Sequence, residues 1–298
     1  MDTLREILDP QFVLRNSIYI SLLVGLICPV VGVYLVLRRL IFLGVALPQI
    51  SSAGIAVAFS LPALGLLGHG HIAHFEGDER LLAFIGALGL TFGAIVVLAM
   101  LEQRERSLVE GRIGTAYVLA GAASILLLVK NPMGERGMLD LLKGEIIAVS
   151  SVDLWLTLTV FALVGLTLFF FEKEFVLVSF DRDMAITLKK KVLFWDFLLF
   201  LLIGGTISIA VLSVGPLVTF GFLLIPPLIA RQFARNMLQF IAGASFLGGV
   251  AAFAGFCFAY RLDIPVGPTD VALLGFLYLL AVCGKLLLGK LKSIRGAD

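Results

Sequence analysis

Arg38 and Arg39 close one long apolar run, and the next run carries Pro48, Gln49, Ser51 and Ser52 in its interior. This arrangement constrains the chain more than any other feature. A charge pair between two greasy stretches marks a membrane face. A proline with polar neighbours at bilayer depth marks an interrupted helix, the kind of element on which transporters hold a solute. The stretch from Arg38 to Gly54 therefore implies a membrane protein that moves something across the bilayer.

Composition agrees. Only 15% of the 298 residues are charged and 60% are hydrophobic. Soluble domains carry about a quarter charged residues, so this chain cannot cover a globular surface in water. Its 24 Phe and 31 Gly suit rings facing lipid and small residues between closely packed helices. The expected fold class is all-α, a polytopic membrane protein with eight or nine spans. No Pro/Ser-rich or charged linker divides residues 1–298, so one transmembrane domain is expected. Cys28, Cys257 and Cys283 all lie in apolar runs without paired spacing and read as small hydrophobes. The first residues lack the layout of a cleaved signal peptide, so the first span is expected to stay.

A span needs about 20 apolar residues. Candidates fall at 17–37, 41–67, 81–101, 111–130, 152–171, 193–213, 215–230, 237–259 and 270–288, the seventh short enough for a half-helix. With the Arg38–Arg39 turn inside, sixteen Lys and Arg fall in cytoplasmic loops and seven on the other side. That bias places the N-terminus outside and the C-terminus in the cytoplasm.

Four segments carry possible chemistry. Pro48 has no N–H for the carbonyl of Gly44; with Gln49, Ser51 and Ser52 the freed carbonyl forms either a polar notch on a solute path or a kink whose polar groups bond neighbouring helices. His69, His71 and His74, the three histidines of the chain, share an outer loop with Glu76, Asp78 and Glu79. They form either a weak external capture site for a divalent metal or a hydrated loop loosened by Gly68, Gly70 and Gly77. Ser179 to Lys191 reads as a short helix, with Asp181 and Asp183 near its start and lysines near its end. It either docks a cytoplasmic partner or is a solvated basic loop. Gly215-Pro216 opens and Pro226-Pro227 closes a run that ends in Arg231 and Arg235, a helix broken at both ends. Phosphate-loop and nucleophile-elbow motifs do not occur, so a pump built on this chain needs its ATPase on another polypeptide.

The blocks at 38–44, 139–149 with Asp153 and Leu154, 180–188, 214–218, 223–227 running into Ala230 and Arg231, and 265–268 occur in an order that resembles the permease subunit of the zinc/manganese/iron class of ATP-binding-cassette importers. The resemblance covers about residues 17–285. It implies two permease copies, a cytoplasmic ATPase dimer and an extracytoplasmic metal-binding protein, in a bacterial-type cytoplasmic membrane. No covalently bound cofactor and no nucleic acid are implied; a divalent metal enters as cargo. The segment from Asp181 to Leu188, with Asp183 and Ala185, would be the coupling helix that meets the ATPase. Family members usually have Gly after the Leu188 position, where this chain has Lys189, so a shifted helix end is expected. After Gly44 the family has Asp and, four residues on, His, a pair on one helix face; here the positions hold Val45 and Gln49. The family's ligands therefore do not carry over. Either other groups hold the ion (Glu145, the Gly44 carbonyl, the outer histidines), or the solute differs and is a metal chelate or small organic molecule, or this copy works beside a partner permease. Zinc is placed ahead of manganese and iron because of the histidine loop. A membrane scaffold that has lost transport is a third class.

Overall fold

The computed structural model describes residues 14–63, 76–102, 109–129 and 150–295. Among them every regular element is a helix: α1 (Arg15–Leu37), α2 (Ile41–Ala63), α3 (Glu76–Glu102), α4 (Val109–Val129), α5 (Ser151–Phe170), α6 (Glu172–Phe180), α7 (Arg182–Thr187), α8 (Val192–Phe233), α9 (Met237–Leu262) and α10 (Val266–Arg295). Lipid offers no water to backbone N–H and C=O groups, so a spanning segment must satisfy them within itself. Seven of the described helices (α1, α2, α3, α5, α8, α9 and α10) are long and apolar enough to cross a membrane. The chain is an all-α polytopic membrane protein.

α8 has 42 residues. Straight, it would be about 63 Å long at ~1.5 Å per residue, roughly twice the ~30 Å hydrocarbon core. It is not straight. Gly215 interrupts it at φ 82°, ψ 167°, a conformation that only glycine adopts without cost. Pro216 then starts the second arm, where its missing N–H costs nothing. Asp196, near one end, pairs with Arg38; Ala230, near the other, shares a cluster with Val33 and Val36. Both arms thus reach back toward the α1–α2 turn, and the runs at 193–213 and 215–230 are two arms of one element.

Two expected breaks are absent. α2 runs without interruption from Ile41 to Ala63 through Pro48, and the second arm of α8 continues past Pro226 and Pro227 to Phe233. A proline removes one helical hydrogen bond but need not stop a helix whose flanks are held by packing. What happens to the freed carbonyls is informative. Pro29 frees the carbonyl of Gly25, and Gly248 of α9 lies against that oxygen. Pro227 frees the carbonyl of Leu223, and Gly32 of α1 lies against it. In both pairs a Cβ on the glycine would overlap the oxygen. Glycine lets the backbones close in, and Cα–H groups face the orphaned acceptors. α2 and α3 approach in the same way: a Cβ on Gly86 would sit 2.7 Å from the Gly54 carbonyl oxygen.

Hydroxyls add links between helices. Ser245 of α9 donates to the Leu26 carbonyl at 2.9 Å, and Thr157 of α5 and Ser213 of α8 lie 3.0 Å apart. The core sits between α1, α2 and α8, with Ile20, Tyr34, Leu35, Leu47, Ile203 and Phe222 fully enclosed. α5 turns Leu163, Phe169 and Phe170 outward, as rings and aliphatics facing acyl chains do.

Candidate functional site

α2 packs against α8 on one side and against α3 and α4 on the other. Residues 43–56 of this helix are almost entirely buried, so it is an interior element rather than one facing lipid. At about 100° per residue, Ser51, Gly44, Pro48 and Ser52 share one face and Gln49 sits at its edge. The structure therefore groups these five on about half of the helix but does not make them one polar notch. A Cβ on Gly44 would meet Leu35, Leu223 and Leu224 at 3.3–3.4 Å, an apolar seat. Ser51 and Ser52 are buried, and the Ser51 hydroxyl has no hydrogen-bond partner among the described residues. Gln49 lies the other way, its Nε2 3.2 Å from the Cβ position of Gly121 on α4. Val45 and Gln49 are partly exposed, and Phe42, on the same strip, is 53% exposed. That strip is the least covered part of the first half of α2.

At the arginine end lies a second construction. Asp181 takes extended dihedrals and caps α7, accepting from the Met184 N–H at 2.9 Å. Asp183 lies in the first turn of α7, where an acid suits the helix dipole. Ala185 is fully buried against Val178 and Val192. Leu188 is the C-cap, and the lysines expected at the helix end lie beyond it. Lys189 has φ 54°, its N–H bonds to the Ile186 carbonyl, and Lys190 N–H bonds to the Ala185 carbonyl. These two bonds are the closing turn that glycine favours, so Lys189 carries a left-handed strain of about 1–2 kcal/mol. The helix ends at Thr187. Phe180, Met184, Ile186 and Leu188 are all more than half exposed on this short segment. Together they form an exposed apolar surface next to lysines and aspartates.

An ion-pair group anchors that segment. Asp196 of α8 binds Arg38 at 2.7 Å and Arg182 at 3.2 Å. The Arg38 Nε also donates to the Ser179 hydroxyl at 3.0 Å, and the guanidinium lies 5.7 Å from the Phe200 ring centroid. Burial pulls the Arg38 guanidinium below its ordinary value, against the Asp196 carboxylate that holds it up. Trp195 stacks edgewise on Phe175, which in turn meets Tyr34 of α1. The segment around α7 is thereby fastened to both α1 and α8.

A model of the ABC 3 transport family matches residues 11–285. The chain belongs to that family. Among ABC 3 relatives, the uncharacterized membrane protein slr2045 of Synechocystis is 29% identical, over 90% of this chain and 89% of its own length. The manganese import system permease protein ScaB of Streptococcus gordonii is 24% identical over 90% of each chain. The manganese transport system membrane protein MntC of Halalkalibacterium halodurans is 27% identical over 90% of this chain and 86% of its own. The PsaBC structure from Streptococcus pneumoniae, solved with a Fab, superposes with a TM-score of 0.79 at 22% identity, covering 94% of both chains. An inward-facing putative metal-chelate type ABC transporter gives 0.71 at 18% identity, covering 91% of this chain and 85% of that one. The ABC permease fold expected from the sequence is therefore the fold observed. As a transport-family component the chain is not an enzyme.

The remaining candidates of this ABC 3 member are placed unevenly. His69, His71, His74 and Glu145 lie outside the described residues. Among the described residues no three His, Cys, Asp or Glu side chains cluster as a metal site. The sequence reading passed over Asp196 and Asp270. Asp270 is fully buried against Gly255 of α9. The available signal was a lone acid within or at the edge of an apolar run, which is costly in a membrane and retained for a reason.

Proposed function

We propose that this chain is the membrane-spanning permease of an ATP-driven importer of a divalent transition metal. It works as a pair of permeases by alternating access at their interface, a homodimer in the simplest case. A cytoplasmic ATPase dimer docks on α7, and an extracytoplasmic binding protein delivers the ion. The N-terminus faces outside and the C-terminus the cytoplasm, as the arginine and lysine distribution favours. The observation that carries the reading is α7: a capped six-residue helix seated by Ala185, with its apolar side chains held out to a partner. The partly exposed strip of Phe42, Val45 and Gln49 on an otherwise enclosed helix suits a path lined by two copies.

Manganese is the proposed cargo, ahead of zinc and iron. Two of the relatives named above carry manganese in their names. The polar group on the strip, the Gln49 amide, offers an oxygen donor, which suits manganese better than zinc. Reconstituted with its ATPase and binding protein, the permease is expected to show manganese-stimulated ATP hydrolysis. Flat hydrolysis across manganese, zinc and iron removes the metal reading. Gln49→Ala is expected to lower uptake by about tenfold, the equivalent of one lost polar contact of ~1.4 kcal/mol, while membrane insertion stays normal. Unchanged uptake in that variant takes Gln49 off the path.

A second reading keeps the machine and changes the solute to a metal chelate. Val45 and Gln49 leave the ligand positions implied by the resemblance without charge, and one structural neighbour is a putative metal-chelate type ABC transporter. Binding of chelated but not free metal selects it.

A further inference from the structure

We infer that Asp196 is a positioning residue that links the docking helix α7 to the start of α2. The inference rests on the docking reading above and deepens it. One carboxylate holds two arginines from separate segments: Oδ1 takes Arg38 at 2.7 Å and Oδ2 takes Arg182 at 3.2 Å. The two arginines differ in setting. The Arg182 side chain, the first residue of α7, is 65% exposed and within reach of a docked partner. The Arg38 side chain is 11% exposed. It is further fixed by Ser179 at the end of α6 and by the Phe200 ring, four residues beyond Asp196 on α8.

Arg38 also caps α1. The next residue, Arg39, stands at φ 59°. Its N–H bonds to the Val36 carbonyl, and Leu40 N–H bonds to the Leu35 carbonyl. α2 begins at Ile41. The turn is therefore a strained, fully bonded closure with no slack, and moving Arg38 moves the first turn of α2. α7 itself packs on α6 and α8. The path from α7 to α2 runs through Arg182, Asp196 and Arg38, with both arginines on the one carboxylate and the Arg38 side largely shielded. A change of α7 position, or a partner acid that competes for Arg182, redistributes the Asp196 carboxylate between its two arginines. That is a discrete rearrangement of the kind that carries coupling between sites.

The test uses the full permease with its ATPase in proteoliposomes. Phe42→Cys reports on the start of α2, in a chain with Cys257→Ala and Cys283→Ala; Cys28 is fully buried. Maleimide labelling is timed with and without ATP, so the readout does not depend on the cargo. In the parent chain nucleotide is expected to change the labelling rate by roughly fivefold or more, the range of coupling between linked sites. With Asp196→Asn added, the ATPase is still recovered but the nucleotide response is lost, and Asp196→Glu restores it. A full response in the Asn variant overturns the link, as does a parent chain that binds ATPase yet shows no response. Loss of response together with loss of ATPase recovery in the Asn variant also overturns it, because the role is then structural. A parent chain that recovers no ATPase defeats the docking reading, and this inference falls with it.

Discussion

Gly32→Val is expected to abolish accumulation of the folded permease. A Cβ on Gly32 would overlap the carbonyl oxygen of Leu223 and would stand 3.1 Å from Pro227 Cγ. The obstacle is backbone, so rotamer changes cannot relieve it. α1 and the second arm of α8 would have to separate, in the part of the core where both are buried. Overpacking in a rigid core costs on the order of 3 kcal/mol, a large share of the stability of a typical domain. Gly32→Ala already introduces the clash and is expected to lower the detergent unfolding temperature. Gly89→Ala on α3 is the control, since nothing lies within 4 Å of its Cβ position. Size-exclusion profiles and thermal unfolding of the three variants check this. A Gly32→Val chain that elutes and unfolds like its parent refutes the close α1–α8 contact.

The second large effect is expected at Ala185. An arginine there has no room, because Ala185 is fully buried between Val178 and Val192. α7 has six residues, too few to hold a helix once its seat is lost. The segment swings away, and the surface of Met184, Ile186 and Leu188 is no longer presented as a unit. ATPase co-purification with Ala185→Arg is expected to fall to background, while membrane insertion and the amount of folded permease stay normal. Replacing Asp181 and Asp183 by alanine acts in the same direction but less strongly. Loss of the Asp181 cap costs only about 1 kcal/mol. Normal ATPase recovery with Ala185→Arg shows that the partner docks elsewhere.

Much of the fold was legible because lipid imposes a strict rule on sequence. Long apolar runs must be helices, and charges must collect between them. The Arg38–Arg39 turn, the α1 and α2 runs and the short helix that starts on Asp181 could be read directly. The site was less legible. Pro48 signals a freed carbonyl, but whether the helix breaks depends on what packs around it. Here Leu35, Leu223 and Leu224 fill the space beside Gly44, and α2 continues. Gln49 looked like a partner of the serines, yet it sits against Gly121 of α4.

The sequence by itself determined that this chain lives in a membrane, that it is helical, and which family it resembles. Those are properties of composition, spacing and local order. Only the tertiary structure decided that Gly32 and Gly248 seat the carbonyls released by Pro227 and Pro29, and that Asp196 joins Arg38 to Arg182. Each joins residues far apart in the chain. The partner of a buried carbonyl or carboxylate is set by which helices come together, and no local pattern encodes that.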